Sequence, residues 1–329
     1  MDKLTPDTNQ TIKGPTAEMD DISDLPVEQW LDAVEDLGED IGYFEPLGPD
    51  HSVMFGDRSP SLLVTFETYE SITERSDTGL PIGHTLAQSH DWSHLTILAH
   101  AQDLKSHWFR SHFIYGYFDR LVEEGFFEDF DKVVFYGAGA SGYAASAYSV
   151  AAPGATVIAI APQATLDARL ASWDKRFDGL RRMDFSTRYG FAPDMVDAAD
   201  NVWVLYDPTV PDDAMHAALF NRPHTTLRPI RNFGTDPEFE LLEMKAIEPI
   251  VKAAMSDGLT QRKLTQALRN RREHGGYLRR LLTEVTSKKR PQLTIQLCEH
   301  ALKSRNGWRF RKALKAARQN LSDKADTAD

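Results

Sequence analysis

The sequence predicts an α/β protein: a mostly parallel sheet flanked by helices, followed by a helical C-terminal region. Three observations predict it. From Ser61 onward, short runs of β-branched and aromatic residues alternate with helical patterns. Those runs are apolar on both faces, as strands are when helices cover a sheet on either side. Beyond Phe239 the strand-like runs stop and only helical periodicity remains.

Residues 1–60 read as an acidic N-terminal extension with one helix. Up to about residue 25 the chain is polar and acidic, and poor order is expected there. A helix follows at Val27–Leu37, where Val27, Trp30, Leu31, Val34 and Leu37 share one face. Residues 61–239 read as the α/β domain. Its strand candidates are Leu62–Phe66, Leu95–Ala99, Lys132–Tyr136, Ala155–Ala161, Val202–Tyr206 and Thr225–Ile230. Helices are expected between them at Trp108–Glu124, Gly142–Ala151, Met195–Ala199 and Asp212–Phe220, with right-handed crossovers. Pro162 and Pro208 fall just past strand ends, where a lost donor does no harm. Pro229 demotes the last run to an edge strand or to none.

Residues 240–329 read as a basic helical region. Its candidates are Glu240–Ser256, Leu259–Arg272, Tyr277–Val285, Gln292–Ser304 and Trp308–Leu321. Ala267-Leu268-Arg269 recurs as Ala301-Leu302-Lys303, each followed by a Gly-aromatic step. Two loosely spaced copies fall short of a repeat array, and an ordinary helical extension is the simpler reading.

Composition narrows the function classes. The single cysteine, Cys298, rules out a disulfide within the chain and argues against a cysteine-based zinc site. No apolar run reaches the length of a membrane span, and the first residues lack the pattern of a secretory signal. A cytoplasmic protein without membrane contact is therefore expected. The net charge of −12 hides an asymmetry. Residues 261–320 hold 17 Lys+Arg against 3 Asp+Glu, so the rest of the chain is strongly acidic. Basic helices can engage phosphates, but an acidic body repels a polyanion, which argues against nucleic acid. Docking on its own acidic body, or on an acidic protein partner, fits the balance better. A homo-oligomer is left open.

The sharpest local signal is Lys132-Val133-Val134-Phe135-Tyr136-Gly137-Ala138-Gly139-Ala140-Ser141-Gly142-Tyr143. A strand runs into a turn of small residues and then into a helix. One use of such a turn is a nucleophile elbow, Gly-x-nucleophile-x-Gly, where the corner is so tight that both flanking positions must be small. With Ser141 as nucleophile, the flanks are Gly139 and Tyr143, and tyrosine should clash with the corner. With Gly137 and Ser141 as flanks the corner is satisfied, but Gly139 takes the nucleophile position and offers no side chain. A second use is phosphate binding. Gly137-x-Gly139-x-x-Gly142 spells a dinucleotide fingerprint whose amides could face a pyrophosphate at the helix N-terminus. The acid expected after the next strand to hold a ribose is missing, since Ala161-Pro162-Gln163 stands there.

The run Phe135-Tyr136-Gly137-Ala138-Gly139-Ala140-Ser141-Gly142-Tyr143-Ala144-Ala145 resembles the FYG-x-S-M-G-G-Y-A-A elbow of α/β-hydrolase-like proteins, including those of bacterial surface-glycan loci. Ala161-Pro162-Gln163 resembles the S-P-Q that such proteins carry after the next strand. The resemblance covers roughly residues 61–233. It implies an α/β-hydrolase-like fold and a Ser–acid–His triad in that chain order. In its register the family serine falls on Gly139.

The other triad members are read the same way. Asp207 follows the strand Val202–Tyr206, where the acid belongs, though a turn residue before Pro208 is the plainer reading. No histidine occurs in Arg231–Phe239, where the base belongs; His216 and His224 precede that strand, and His274 lies in the basic helices. A serine without a base is a poor nucleophile. The expectation is thus a degenerate member that binds a small molecule or a protein partner and needs no cofactor. The alternatives are an ester hydrolase using Ser141 with Asp207 and a histidine from elsewhere, or a nucleotide binder using Gly137, Gly139 and Gly142. Six of the 11 histidines fall between His84 and His112. Surface and packing roles explain them more simply than a metal site. The aromatic cluster from Trp108 to Phe118 reads as a helix face packed on the sheet, and Cys298 as a buried structural thiol.

Overall fold

Alternation with period two runs through the central strands, and each strand buries both faces. In the computed structural model, which describes residues 21–256, 258–304 and 306–326, Leu62, Val64 and Phe66 pack into one core while Leu63 packs into another. Val133 and Phe135 face the first core, and Val134 and Tyr136 the second. Val202 and Val204 are split from Trp203 and Leu205 in the same way. This is the signature of a sheet covered by helices on both sides. Residues 1–20, where poor order was expected, lie outside the described residues.

The strands are β1 (Gly42–Pro46), β2 (His51–Gly56), β3 (Ser61–Thr68), β4 (Ser93–Ala99), β5 (Lys132–Ala138), β6 (Thr156–Ile160), β7 (Asn201–Tyr206) and β8 (Thr225–Pro229). They form one sheet in the order β1-β2-β4-β3-β5-β6-β7-β8. β1, β2 and β4 pair antiparallel, and all other neighbours are parallel. The sheet therefore starts before Ser61: β1 and β2 join it, although the sequence reading left them in the N-terminal extension. Thr225–Pro229 is a strand and stands at the sheet edge, as Pro229 required.

Helices His112–Glu123 and Gly139–Tyr148 cover the first face, with Ile114, Phe118, Tyr143 and Ala144 buried. On the second face lie Ile82–His90, Ile247–Met255 and Gln261–Ala267, through Leu86, Ile250, Val251 and Leu264. The chain beyond residue 239 thus still builds the main core. Only the last three helices, Gly275–Ser287, Pro291–Ser304 and Trp308–Asp326, make a small core of their own, around Leu278, Cys298, Ala301 and Phe310. They meet the acidic body at Glu240, which takes Arg280 Nη1 at 2.8 Å and lies 3.2 Å from His274.

Two expected helices are broken by left-handed residues. Trp108–Glu124 is interrupted at Phe109 (φ 55), after which Ser111 caps the helix by accepting from the Phe113 amide. Glu240–Ser256 is interrupted at Lys245 (φ 53) and begins earlier, at Pro237, where Asp236 accepts from the Phe239 amide. Tyr69–Arg75 and Ile82–His90 are helices that periodicity missed because they are short. His90 ends the second of these, and His94 sits in β4.

The clustered histidines pair within the fold. His84 Nδ1 lies 3.2 Å from His94 Nε2, both rings are buried, and burial holds their pKa values down to about 4 and about 3. In an NMR titration of the imidazoles, these two are expected to stay neutral down to about pH 5, well past the usual midpoint. A midpoint near 6.5 for either ring would contradict the buried pair.

Candidate ligand cavity at the strand–helix corner

β5 ends at Ala138 and the helix begins at Gly139, which turns the chain at φ +56. That is the left-handed region, which favours glycine. The corner is tight. A Cβ on Gly137 would lie 2.3 Å from the Ser141 carbonyl oxygen, so only glycine fits there. A Cβ on Gly142 would lie 3.1 Å from the Gly137 oxygen and 3.2 Å from Pro162 Cβ. On Gly139 it would meet only Gln163 Oε1, at 3.9 Å. Of these three glycines, Gly139 is the one with open space in front of it. Gly139 stands at the turn, with Gly137 and Ser141 on its flanks. Tyr143 does not crowd the corner; it is buried in the first core and donates to the Tyr189 carbonyl oxygen at 2.6 Å.

A cavity of about 650 Å³ opens over this corner. Its walls come from the carboxyl ends of parallel strands, as crevices in α/β sheets do. Gly139, Ala140 and Ser141 form one side, and Ile72, Leu80, Ile160 and Leu242 supply apolar surface. Much of the rest is polar, and among its charged side chains the carboxylates of Glu67, Asp77, Asp213, Asp236 and Glu238 outnumber the guanidiniums of Arg75 and Arg176.

Three buried networks build that polar wall. At the end of β3, Glu67 accepts from the Ile82 amide (2.7 Å), the Gly83 amide (2.9 Å) and Thr65 Oγ1 (2.8 Å). Burial outweighs these donors and pushes its pKa up to about 7. From the first turn of the helix after β8, Glu238 accepts from Tyr136 Oη (2.6 Å) and from Arg75, whose other nitrogen donates to Asp236 at 3.0 Å. Burial raises Glu238 despite Arg75. In the third network, Arg176 donates to Asp213 Oδ1 (2.6 Å) and Asp174 Oδ2 (2.8 Å). His216 Nδ1 accepts from the Ala164 amide at 3.1 Å, so Nε2 carries the proton and donates to Asp174 Oδ2 at 3.0 Å. Burial works against the Asp174 carboxylate, but His216 and Arg176 hold it well below the usual range.

The sequence-predicted residues part company here. Ser141 is half-buried on the cavity wall. Asp207 is fully buried and does not line the cavity. Its Oδ1 accepts from Thr209 N (2.9 Å) and Thr209 Oγ1 (2.8 Å), and its Oδ2 from Gly234 N (2.8 Å). It ties the loop after β7 to the loop after β8, where the sequence holds no histidine. Among the described residues, His107 is the histidine that lines the cavity, and its Nε2 lies 3.2 Å from Glu70 Oε2. Sequence reasoning passed over Glu67, Arg75, Arg176 and Glu238. A carboxylate at the end of an otherwise apolar strand, Glu67, was the one available signal.

Among the described residues, no three His, Cys, Asp or Glu side chains are grouped to hold a metal ion, and no helix is long and apolar enough to cross a membrane. No family model matches the sequence, and no curated protein matches it. Among solved structures, the chain is similar to the Pyrobaculum calidifontis esterase, with 14% identity over 71% of this chain and 94% of that one (TM-score 0.41). It is also similar to the capsule O-acetyltransferase of Neisseria meningitidis serogroup A, with 14% identity over 63% and 92% (TM-score 0.40). A third is FphF, a fluorophosphonate-binding serine hydrolase of Staphylococcus aureus, with 10% identity over 63% and 92% (TM-score 0.40). Likeness this distant says nothing of what this chain's residues do. The fold is α/β-hydrolase-like, with its mostly parallel eight-stranded sheet and the tight corner after β5.

Proposed function

We propose that this chain is a catalytically degenerate α/β-hydrolase-like protein that binds a ligand in the cavity over the β5 corner. The observation that carries this reading is Gly139. It holds the left-handed turn position between Gly137 and Ser141, with no side chain and with room in front of it. An elbow with glycine there has no oxygen or sulfur to attack a substrate. Asp207 supports the same reading, because its oxygens serve Thr209 and Gly234 and no imidazole. The single, buried, unpaired Cys298 fits a reducing, cytoplasmic setting.

The competing reading makes Ser141 the nucleophile of an ester hydrolase. In its favour, Ser141 lines the cavity. Against it, no hydrogen bond joins Ser141 to His107, the histidine on the same wall, whose Nε2 lies 3.2 Å from Glu70 Oε2. Labelling with a fluorophosphonate probe, followed by mapping of any labelled residue, separates the two. Folded protein is expected to take up no label, and Ser141→Ala to change nothing. Stoichiometric labelling at Ser141, abolished by that substitution, would replace degeneracy by catalysis.

A further inference from the structure

We infer that the cavity takes a small organic cation, an amine or guanidine on an apolar body, whose N–H donors meet Gln163 Oε1 and Asp213 Oδ2. This rests on the reading of the cavity as a ligand site and names its ligand class.

Two buried acceptors on the cavity wall lack donors. Gln163 is 5% exposed; its Nε2 donates to the Ala161 carbonyl oxygen at 3.4 Å, and its Oε1 has no partner. That oxygen is the atom facing the open space at Gly139. Asp213 is 1% exposed; Oδ1 takes Arg176, and Oδ2 has no partner. Buried polar atoms are nearly always satisfied, and an orphan is strongly unfavourable. Both of these orphans are acceptors, and the third unsatisfied atom on the wall, His107 Nε2, faces the equally unsatisfied Glu70 Oε2 at 3.2 Å, so the group missing at Gln163 and Asp213 is a donor.

Charge selects among donors. Beside Glu67, which burial keeps partly protonated near neutral pH, the wall carries Asp77, Asp213, Asp236 and Glu238 against Arg75 and Arg176. Neither guanidinium is free for an anion. Arg75 is held by Asp236 and Glu238, and Arg176 by Asp174 and Asp213. A low-dielectric cavity with such walls focuses a negative potential, which draws cations and rejects phosphates and carboxylates. The same field speaks against a pyrophosphate at Gly137, Gly139 and Gly142. The apolar wall of Ile72, Leu80, Ile160 and Leu242 matches an alkyl or aromatic body, and the volume suits a small molecule.

Saturation-transfer NMR tests this with six probes. Putrescine, agmatine and phenethylamine are compared with 1,4-butanediol, phenylethanol and phenylacetate. Each is run on the wild type, on Gly139→Phe, which fills the space at the corner, and on Asp213→Asn. Thr235→Trp, on the same wall, replaces the first variant if it fails to fold, and Gln163→Leu replaces the third. The amines are expected to bind the wild type and to lose about tenfold or more in affinity in each variant, while the other three stay silent. Equal binding of the alcohols or the acid, lost on filling the cavity, would overturn the cation and leave the ligand site standing. No difference between wild type and filled cavity for any probe would overturn both.

Discussion

Replacing Asp207 by alanine is expected to lower the unfolding free energy by about 3 kcal/mol, with the denaturant midpoint falling and the slope unchanged. The carboxylate is fully buried and accepts three hydrogen bonds from two loops. Alanine takes the shared acceptor from three donors of the two loops. Asparagine keeps one acceptor for Thr209 but turns an N–H toward the Gly234 amide, so it should free the loop after β8 and cost somewhat less. The two roles this residue could hold predict different losses. An acid that orients a catalytic histidine gives up activity to asparagine while the fold stands. Here the loss is expected in stability. An Asp207→Ala protein as stable as the wild type would remove the loop-tying role.

The second large effect is a pH dependence that starts at Glu67. An unfolded glutamate titrates at its ordinary value of 4.5, and in the folded chain burial raises this to about 7. Folding therefore favours the protonated form. The contribution is fully present below the unfolded value and is lost as pH rises through about 7, a change of about 3 kcal/mol. The neighbouring Glu238 pushes Glu67 the same way. His84 and His94, held neutral by burial, act in the opposite direction, weakening the fold as pH falls below the ordinary histidine value of 6.5. A difference measurement isolates the glutamate. The stability of wild type minus that of Glu67→Gln, followed from about pH 4 to about pH 8, should drop by about 3 kcal/mol and then level off. A flat difference would place the Glu67 pKa near its ordinary value.

The sheet was legible because burial on both faces writes itself into a strand as an unbroken apolar run. β3, β4, β5, β6 and β7 all read that way. β2 did not. His51 and Ser52 open it with polar side chains, yet both are buried, because His51 reaches the Ser106 carbonyl oxygen at 2.8 Å and Ser52 lies 3.2 Å from His100. Those partners are some fifty residues away, where no local pattern can show them. The corner was legible for the opposite reason: the constraints on Gly137, Gly139 and Gly142 are local. The cavity was not. Glu67 lies near the end of β3, and Gly139, Gln163, Asp213 and Glu238 follow β5, β6, β7 and β8 in turn, the last four unremarkable beside their own neighbours. Parallel pairing brings all five strand ends to one side. Only topology turns residues this scattered in sequence into one cavity wall.

The edges of the sheet carry a consequence for how copies of this chain can meet. An open edge offers unpaired amides and carbonyls, and a second sheet can dock there and extend the ladder toward fibrils. β1 and β8, the two edge strands, are five residues each, and each finishes in a proline, Pro46 and Pro229. A charged residue stands directly before each proline, Glu45 on one side and Arg228 on the other. Proline withholds the donor that a further strand would need, and the charge resists burial against a neighbour. Both margins are blunted, which disfavours the pairing of copies through a shared sheet.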